Sequence, residues 1–134
     1  VYGCPREETG TIQAPIARHP VDRKKMAVLA GGREAITHYQ VLEHYQGYTL
    51  MKFRLETGRT HQIRVHMAHI GHPIIGDPLY GPAKDKWKLQ GQCLHAGELE
   101  LTHPVTGERM LFEAPLPEYF EKVLQKLRNQ YGQV

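Results

Sequence analysis

The sequence predicts an α+β domain built around a mainly antiparallel β-sheet with flanking helices. Two pairs of strand-like runs, each pair separated by turn residues, indicate two β-hairpins. Two other segments carry apolar residues at helical spacing, as amphipathic helices do. Strands grouped into hairpins with separate helices favour an antiparallel sheet over a parallel one. With 134 residues and 40% hydrophobic content, the chain is expected to form one domain, 1–134, with a modest core.

The first predicted hairpin pairs residues 35–44 with residues 48–56 around Gln46-Gly47. Its second strand alternates three apolar residues with three charged ones, which predicts an apolar inner face and a basic outer face: Met51, Phe53 and Leu55 against Lys52, Arg54 and Glu56. The preceding stretch from Pro5 to about Gly32 is rich in proline, glycine and charge, and predicts a long, mostly irregular surface connection.

Thr60 is placed to cap a helix that runs from His61 to about Ile70 and ends at Gly71. Ile63, Met67 and Ile70 have the spacing of one buried helix face. A turn-rich loop follows over residues 73–91.

A second hairpin is predicted to pair residues 94–101 with residues 108–114 across residues 103–107. Pro117 then opens a last helix. Its apolar stripe predicts core packing: Phe120, Val123, Leu124 and Leu127.

Composition restricts the function classes. The net charge of +3 and the pI of about 8.9 suit a polyanionic partner. Cys4 and Cys93 form no metal-type pair, which favours a reduced, cytoplasmic thiol state. No apolar run of transmembrane length and no secretory leader pattern occurs. We therefore expect a cytoplasmic monomer that does not bind a membrane.

The most informative run is GRTHQIRVH, residues 58–66. It places Arg59, Thr60 and His61 at a predicted helix N-terminus, where free N–H groups and the helix dipole favour an anion such as phosphate. Arg64 lies one turn further on and points to the same side. The same pattern fits an ordinary capped helix whose arginines are merely solvated.

Two other groups of residues have the composition of a functional site. His61, His66, His69 and His72 invite a metal hypothesis, but no carboxylate or cysteine follows at ligand spacing, so we expect no metal. Asp77 stands between Gly76 and Pro78, where a turn aspartate usually accepts hydrogen bonds from its own backbone.

The run 58–66 resembles the late motif of the RluA-type family of pseudouridine synthases. Further segments resemble that family in the same order along the chain: Val1-Tyr2-Gly3, Arg18-His19-Pro20 with Arg23 and Met26, His72-Pro73, Gly76-Asp77, Tyr80-Gly81, Leu94-His95-Ala96, and His103-Pro104 with Gly107. The resemblance implies an isomerase that converts uridine to pseudouridine in RNA, most often ribosomal RNA of the large subunit, without metal or organic cofactor.

The resemblance also implies site residues. Arg64 matches the family's arginine that pairs with the catalytic aspartate, and Leu94 and Ala96 match the region that packs near the target base. Arg59 and His61 are expected RNA contacts. The wider basic field consists of Lys52, Arg54, Arg23, Lys24 and Lys25.

The family's aspartate lies in a His-Arg-Leu-Asp motif that this sequence does not contain. The family's active-site tyrosine sits a few residues earlier in the same strand as Val1, so Tyr2 does not match it and neither role can be assigned here. We therefore expect the chain to be the C-terminal portion of a catalytic domain, inactive by itself. The alternative is an RNA-binding module that kept the scaffold and lost the chemistry.

Overall fold

A computed structural model describes residues 1–83, 87, 89, 91–102 and 104–131. These residues form antiparallel ladders and two helices, which confirms the predicted α+β class. In chain order the elements are β1 (Thr9–Gln13), β2 (Ile16–Arg18), β3 (Met26–Val28), β4 (Ile36–Tyr45), β5 (Tyr48–Leu55), α1 (Gln62–His69), β6 (Glu98–Thr102), β7 (Arg109–Glu113) and α2 (Glu118–Gln130).

A three-stranded sheet in the order β1-β4-β5 forms the centre of the fold. β4 and β5 make the predicted hairpin, which turns at Gly47 with a φ of 82°, a left-handed conformation that glycine adopts without steric cost. Tyr2 makes an antiparallel bridge to Tyr48, so β5 has backbone partners on both sides.

The segment expected to be irregular contains three strands. β1 pairs antiparallel with β4 from Thr9↔Gln40 to Gln13↔Ile36, and β2 pairs with β3. Their buried residues include Ile12 and Ile16. The prediction was wrong because the partner of β1 lies some distance along the chain, and glycine and proline obscured the local alternation.

The prediction that Met51, Phe53 and Leu55 form an apolar inner face of β5 is only partly correct. Met51 and Phe53 pack against a core cluster of Ile12, Met67 and Ile74, but Leu55 is 44% exposed. Its register partner Thr37 is bonded to His66 and Gln62, so polar side chains occupy the core beside Leu55.

Both helices pack as predicted. In α1, Met67 is fully buried, and Ile63 and Ile70 contact the same cluster. Gly71, with a φ of 86°, follows the helix.

In α2, which begins after Pro117, Val123, Leu124 and Leu127 of the predicted stripe pack against Tyr45, Tyr48 and Ile75. Phe120, the fourth residue of that stripe, is only half-buried. An ion pair between Arg128 and Glu43, with N–O distances of 2.9 and 3.1 Å, fastens α2 to β4. Neither helix of the described chain is long and apolar enough to cross a membrane.

The second hairpin is shorter than predicted. β6 begins at Glu98 rather than Leu94, and residues 94–97 lie outside the ladder between β6 and β7. β7 falls one residue inside both predicted ends. His103 lies outside the described residues.

The buried hydroxyl of Tyr45 generates a stability prediction. Tyr45 is 0% exposed, and its hydroxyl has no hydrogen-bond partner among the described residues. A buried, unbonded hydroxyl costs roughly 1–3 kcal/mol. We expect Tyr45→Phe to raise the free energy of unfolding of the intact protein by about 1 kcal/mol, measured by urea denaturation.

Tyr119→Phe is the matched control, because the Tyr119 hydroxyl donates to the Gln92 carbonyl at 2.9 Å. This variant should lower the free energy of unfolding by about 1 kcal/mol. An equal loss in both variants would show that the Tyr45 hydroxyl has a partner in the intact protein.

Candidate active site

The chain enters α1 through an unusual turn at His61. His61 occupies the N-cap position with φ 55° and ψ 25°, and makes no side-chain capping bond. It is the one non-glycine residue with a positive φ in the described chain, and such a conformation costs on the order of 1 kcal/mol. The predicted cap at Thr60 is therefore wrong, since the helix starts at Gln62.

Gln62 fixes this turn in place of a capping threonine. Its Oε1 atom accepts hydrogen bonds from the Arg59 backbone N–H at 2.9 Å and from the Thr57 hydroxyl at 2.8 Å. Its amide nitrogen donates to the Ile36 carbonyl and to the Thr37 hydroxyl. The buried Gln62 side chain thus provides hydrogen-bond partners for the turn before α1 and connects that turn to the start of β4.

Arg64 projects from the first turn of α1 and forms a two-point ion pair with Asp77. Its Nε and Nη2 atoms donate to the two carboxylate oxygens at 2.9 Å each. The side chains are only 11% and 0% exposed. Two parallel hydrogen bonds fix the orientation of the guanidinium as well as its position.

The ion pair favours the charged form of both side chains. Burial by itself raises the pKa of Asp77, but hydrogen bonds from Arg64 and from the Tyr80 and Leu79 backbone outweigh it, so the pKa is lowered. The hydrogen bond to Asp77 raises the pKa of Arg64. Both groups are therefore charged at neutral pH.

Asp77 also makes the turn contacts expected from its sequence neighbours. Its Oδ1 atom accepts the backbone N–H groups of Leu79 at 2.9 Å and Tyr80 at 3.1 Å. The prediction of a turn aspartate is confirmed. The pairing with Arg64 is an additional role that the turn pattern did not reveal.

Tyr80 lies beneath the arginine. The guanidinium carbon of Arg64 is 5.2 Å from the centroid of the Tyr80 ring, within the range of a cation–π contact. The Tyr80 hydroxyl accepts the Met26 backbone N–H at 2.8 Å and lies 2.9 Å from His61 Nδ1. The site therefore links β3, the turn before α1 and the loop after it.

His66 is a core histidine rather than a ligand. It is completely buried, with Nδ1 2.8 Å from the Thr37 hydroxyl and Nε2 2.9 Å from the Ala14 carbonyl. Burial lowers its pKa. No group of three or more histidine, cysteine, aspartate or glutamate side chains is placed to hold a metal ion within the described part of the chain.

The expected RNA-contact residues lie in different settings. Lys52 and Arg54 are exposed on β5, where Lys52 is 3.7 Å from Glu98. Arg59 is half-buried, and its Nε donates to the Glu34 carbonyl at 2.8 Å. His61 is half-buried and bonded to Tyr80, so it belongs to the surroundings of Arg64.

The two residues expected near the target base lie in the extended segment before β6. Leu94 is partly buried against the cluster of Ile12, Met67 and Ile74, and Ala96 is exposed. Their role at a base remains a prediction. Three residues that form the site were missed from sequence: Gln62, Asp77 as the arginine's partner, and Tyr80.

Comparison with known proteins gives a consistent picture. A family model described as RNA pseudouridylate synthase matches residues 1–69. An uncharacterized RNA pseudouridine synthase of Synechocystis sp. is 50% identical over 134 residues, covering 97% of this chain and 41% of the relative. Ribosomal large subunit pseudouridine synthase D of Pseudomonas aeruginosa is 52% identical over 132 residues, covering 90% of this chain and 41% of the relative. The chain thus spans about two fifths of the length of these relatives.

Solved structures share the fold. Human RNA Pseudouridylate Synthase Domain Containing 1 superposes with a TM-score of 0.71 at 27% identity, covering 97% of this chain and 63% of that one. Human RNA Pseudouridylate Synthase Domain Containing 4 gives a TM-score of 0.73 at 26% identity, covering 95% and 59%.

The Arg64–Asp77 pair leads to a stability prediction. Asp77→Asn keeps an oxygen for the two turn N–H groups but leaves the guanidinium of Arg64 without its buried counter-charge. We expect the free energy of unfolding of the intact protein to fall by about 3 kcal/mol, measured by urea denaturation.

Asp22→Asn is the control, because Asp22 Oδ1 accepts the Lys24 backbone N–H in an exposed turn without a buried charge partner. It should change stability by at most about 0.5 kcal/mol. If the two variants lose similar amounts, the turn contacts of Asp77 rather than its pairing with Arg64 account for the effect.

Proposed function

Because this chain belongs to the RluA-type family of RNA pseudouridylate synthases, we propose that it forms the C-terminal portion of the catalytic domain of an enzyme that isomerises uridine to pseudouridine in RNA. In that reaction the N1–C1′ bond breaks, the base turns, and a C5–C1′ bond forms. The C5 proton leaves and N1 takes up a proton, so atoms and charge balance without an oxidant or reductant. We expect no metal or organic cofactor.

The observation that carries the proposal is the way Arg64 is held. A guanidinium has more N–H groups than one carboxylate can engage. Asp77 takes the Nε and Nη2 donors, and the described residues provide no partner for Nη1. The arginine is thus fixed along one edge and can donate along the other.

We infer that this second edge of Arg64 pairs with the catalytic aspartate. The sequence contains no His-Arg-Leu-Asp motif, so the proposal assigns that aspartate to residues outside this chain. A carboxylate enclosed with an extruded base would tend to protonate, whereas an adjacent guanidinium keeps it ionised and oriented. Arg64 would therefore act on the nucleophile and not on the RNA backbone.

The proposed substrate is large-subunit ribosomal RNA, as the name of the Pseudomonas aeruginosa relative suggests. Arg59, with Lys52 and Arg54, would contact phosphates, because clustered cations bind RNA through its backbone. Leu94 and Ala96 would support the extruded uracil, since an enzyme acting on a base must remove it from the stack. A cytoplasmic, monomeric enzyme fits this substrate.

The isolated chain tests where the nucleophile lies. We expect residues 1–134 alone to release no tritium from C5-labelled uridine in RNA, because cleavage of the glycosidic bond needs a nucleophile. The intact protein should release it. Circular dichroism of the isolated chain shows whether it is folded in the assay. Tritium release by the folded chain would mean that the catalytic aspartate lies within residues 1–134.

Two arginine variants of the intact protein separate catalysis from binding. Arg64→Lys keeps the charge but loses the planar fork, so we expect the single-turnover rate at saturating RNA to fall by roughly a hundredfold with little change in affinity. Arg59→Ala should weaken RNA binding. Because about one phosphate contact is lost, the slope of the logarithm of the binding constant against the logarithm of the salt concentration should become shallower by about 1. Lys122→Ala on the exposed face of α2 is the charge-matched control and should change neither.

A normal rate for Arg64→Lys at saturating RNA would remove Arg64 from the catalytic assignment. RNA binding by the intact protein without any tritium release would instead favour the non-catalytic RNA-binding module.

A further inference from the structure

Arg64 is restrained on its flat face as well as on its edge. The pair with Asp77 fixes the guanidinium within its own plane. The Tyr80 ring, 5.2 Å from the guanidinium carbon, restrains how that plane tilts. A two-point salt bridge restrains this tilt less firmly than it restrains the position, and the tilt decides where the outer N–H groups of the arginine point.

Tyr80 is well placed to act as a rigid support because it is fixed at both ends. Its backbone N–H donates to Asp77 at 3.1 Å. Its hydroxyl oxygen accepts the Met26 N–H at 2.8 Å, and the hydroxyl lies 2.9 Å from His61 Nδ1, to which it can donate its proton. The ring also packs against the cluster of Ile16, Ala35 and Val65.

The protonation states of the two partners agree with this direction of donation. Burial raises the pKa of Tyr80, so the hydroxyl keeps its proton at neutral pH. Burial, then the nearby charge of Arg64, lowers the pKa of His61, so its ring is neutral and Nδ1 can accept. The same bond helps to hold His61 in the left-handed conformation from which α1 starts.

We propose that Tyr80 is a positioning residue for Arg64: its ring sets the tilt of the guanidinium toward the catalytic aspartate, and its hydroxyl ties that arrangement to β3 and to the turn before α1. This inference rests on the proposed function of Arg64. It assigns a separate task to Tyr80, which would act through Arg64 and not on the RNA.

The test compares Tyr80→Leu with Tyr80→Phe in the intact protein. Leucine removes the ring, and we expect the single-turnover rate at saturating RNA to fall by roughly tenfold to a hundredfold, as for a small misplacement of a catalytic group. RNA affinity should stay within about threefold, because no phosphate contact is lost. Phenylalanine restores the ring and should recover most of the rate.

Tyr119→Leu is the control, since it removes a half-buried tyrosine with one hydroxyl bond to a carbonyl on α2. It should leave the rate unchanged, and urea unfolding of each variant ensures that only folded protein is compared. A normal rate for Tyr80→Leu would overturn the inference. A rate for Tyr80→Phe as low as that of Tyr80→Leu would also overturn it, because the hydroxyl rather than the ring would then be responsible.

A readout independent of activity is the exchange rate of the Arg64 Nε proton, followed by NMR with ¹⁵N labelling. It should be protected in the wild type and in Tyr80→Phe, and exchange faster in Tyr80→Leu. Unchanged protection in Tyr80→Leu would overturn the positioning role. Loss of protection together with a normal rate for Arg64→Lys would instead show that the proposed function of Arg64 is wrong.

Discussion

The buried ion pair between Arg64 and Asp77 is the interaction on which the site depends. Each charge depends on the other, because burial of an isolated charge costs several kcal/mol. The pair therefore requires helix α1 and the loop after it to stay in one relative position. Gly76 and Tyr80 support the same arrangement. Gly76 lets the loop turn sharply before Asp77, and the ring of Tyr80 covers Arg64.

A second polar network gives the pair a fixed frame. Gln62, Thr37 and His66 are buried and bonded to one another. They connect α1 to the first residues of β4 and, through the Ala14 carbonyl, to the segment after β1. Buried polar networks that are fully satisfied select one packing arrangement. The apolar clusters supply most of the favourable burial, whereas these polar contacts set the rotation of α1 that brings Arg64 to Asp77.

Much of the fold was predictable because the deciding signals are local. The alternation in β5, the glycine at the hairpin turn and the stripe of α2 each lie within one element. Strand β1 was missed because its evidence is its pairing with β4. The cap at Thr60 was wrong because the side chain of Gln62, the first residue of α1, accepts the hydrogen bonds of the preceding turn.

The site was predictable only in part, for a related reason. Arg64 stood out through its motif, but its partner lies thirteen residues further along. Asp77 was already explained by its turn, so no unexplained feature in the sequence indicated a second role. The support from Tyr80 depends on the approach of β3, whose strand character the sequence did not indicate. Contacts between distant segments, each with a sufficient local explanation, cannot be read from a single sequence.

The neutral state of His66 makes the core sensitive to acid. Its Nε2 hydrogen bonds to the Ala14 carbonyl, so Nδ1 must accept from the Thr37 hydroxyl, which in turn accepts from Gln62. A proton on Nδ1 would reverse the Thr37 hydroxyl and leave its hydrogen without an acceptor. Because the folded-state pKa of His66 is lowered from 6.5, its contribution to stability is complete above pH 6.5 and declines as the pH falls toward the lowered value. One proton taken up in this core would thus weaken the contact between α1 and the sheet.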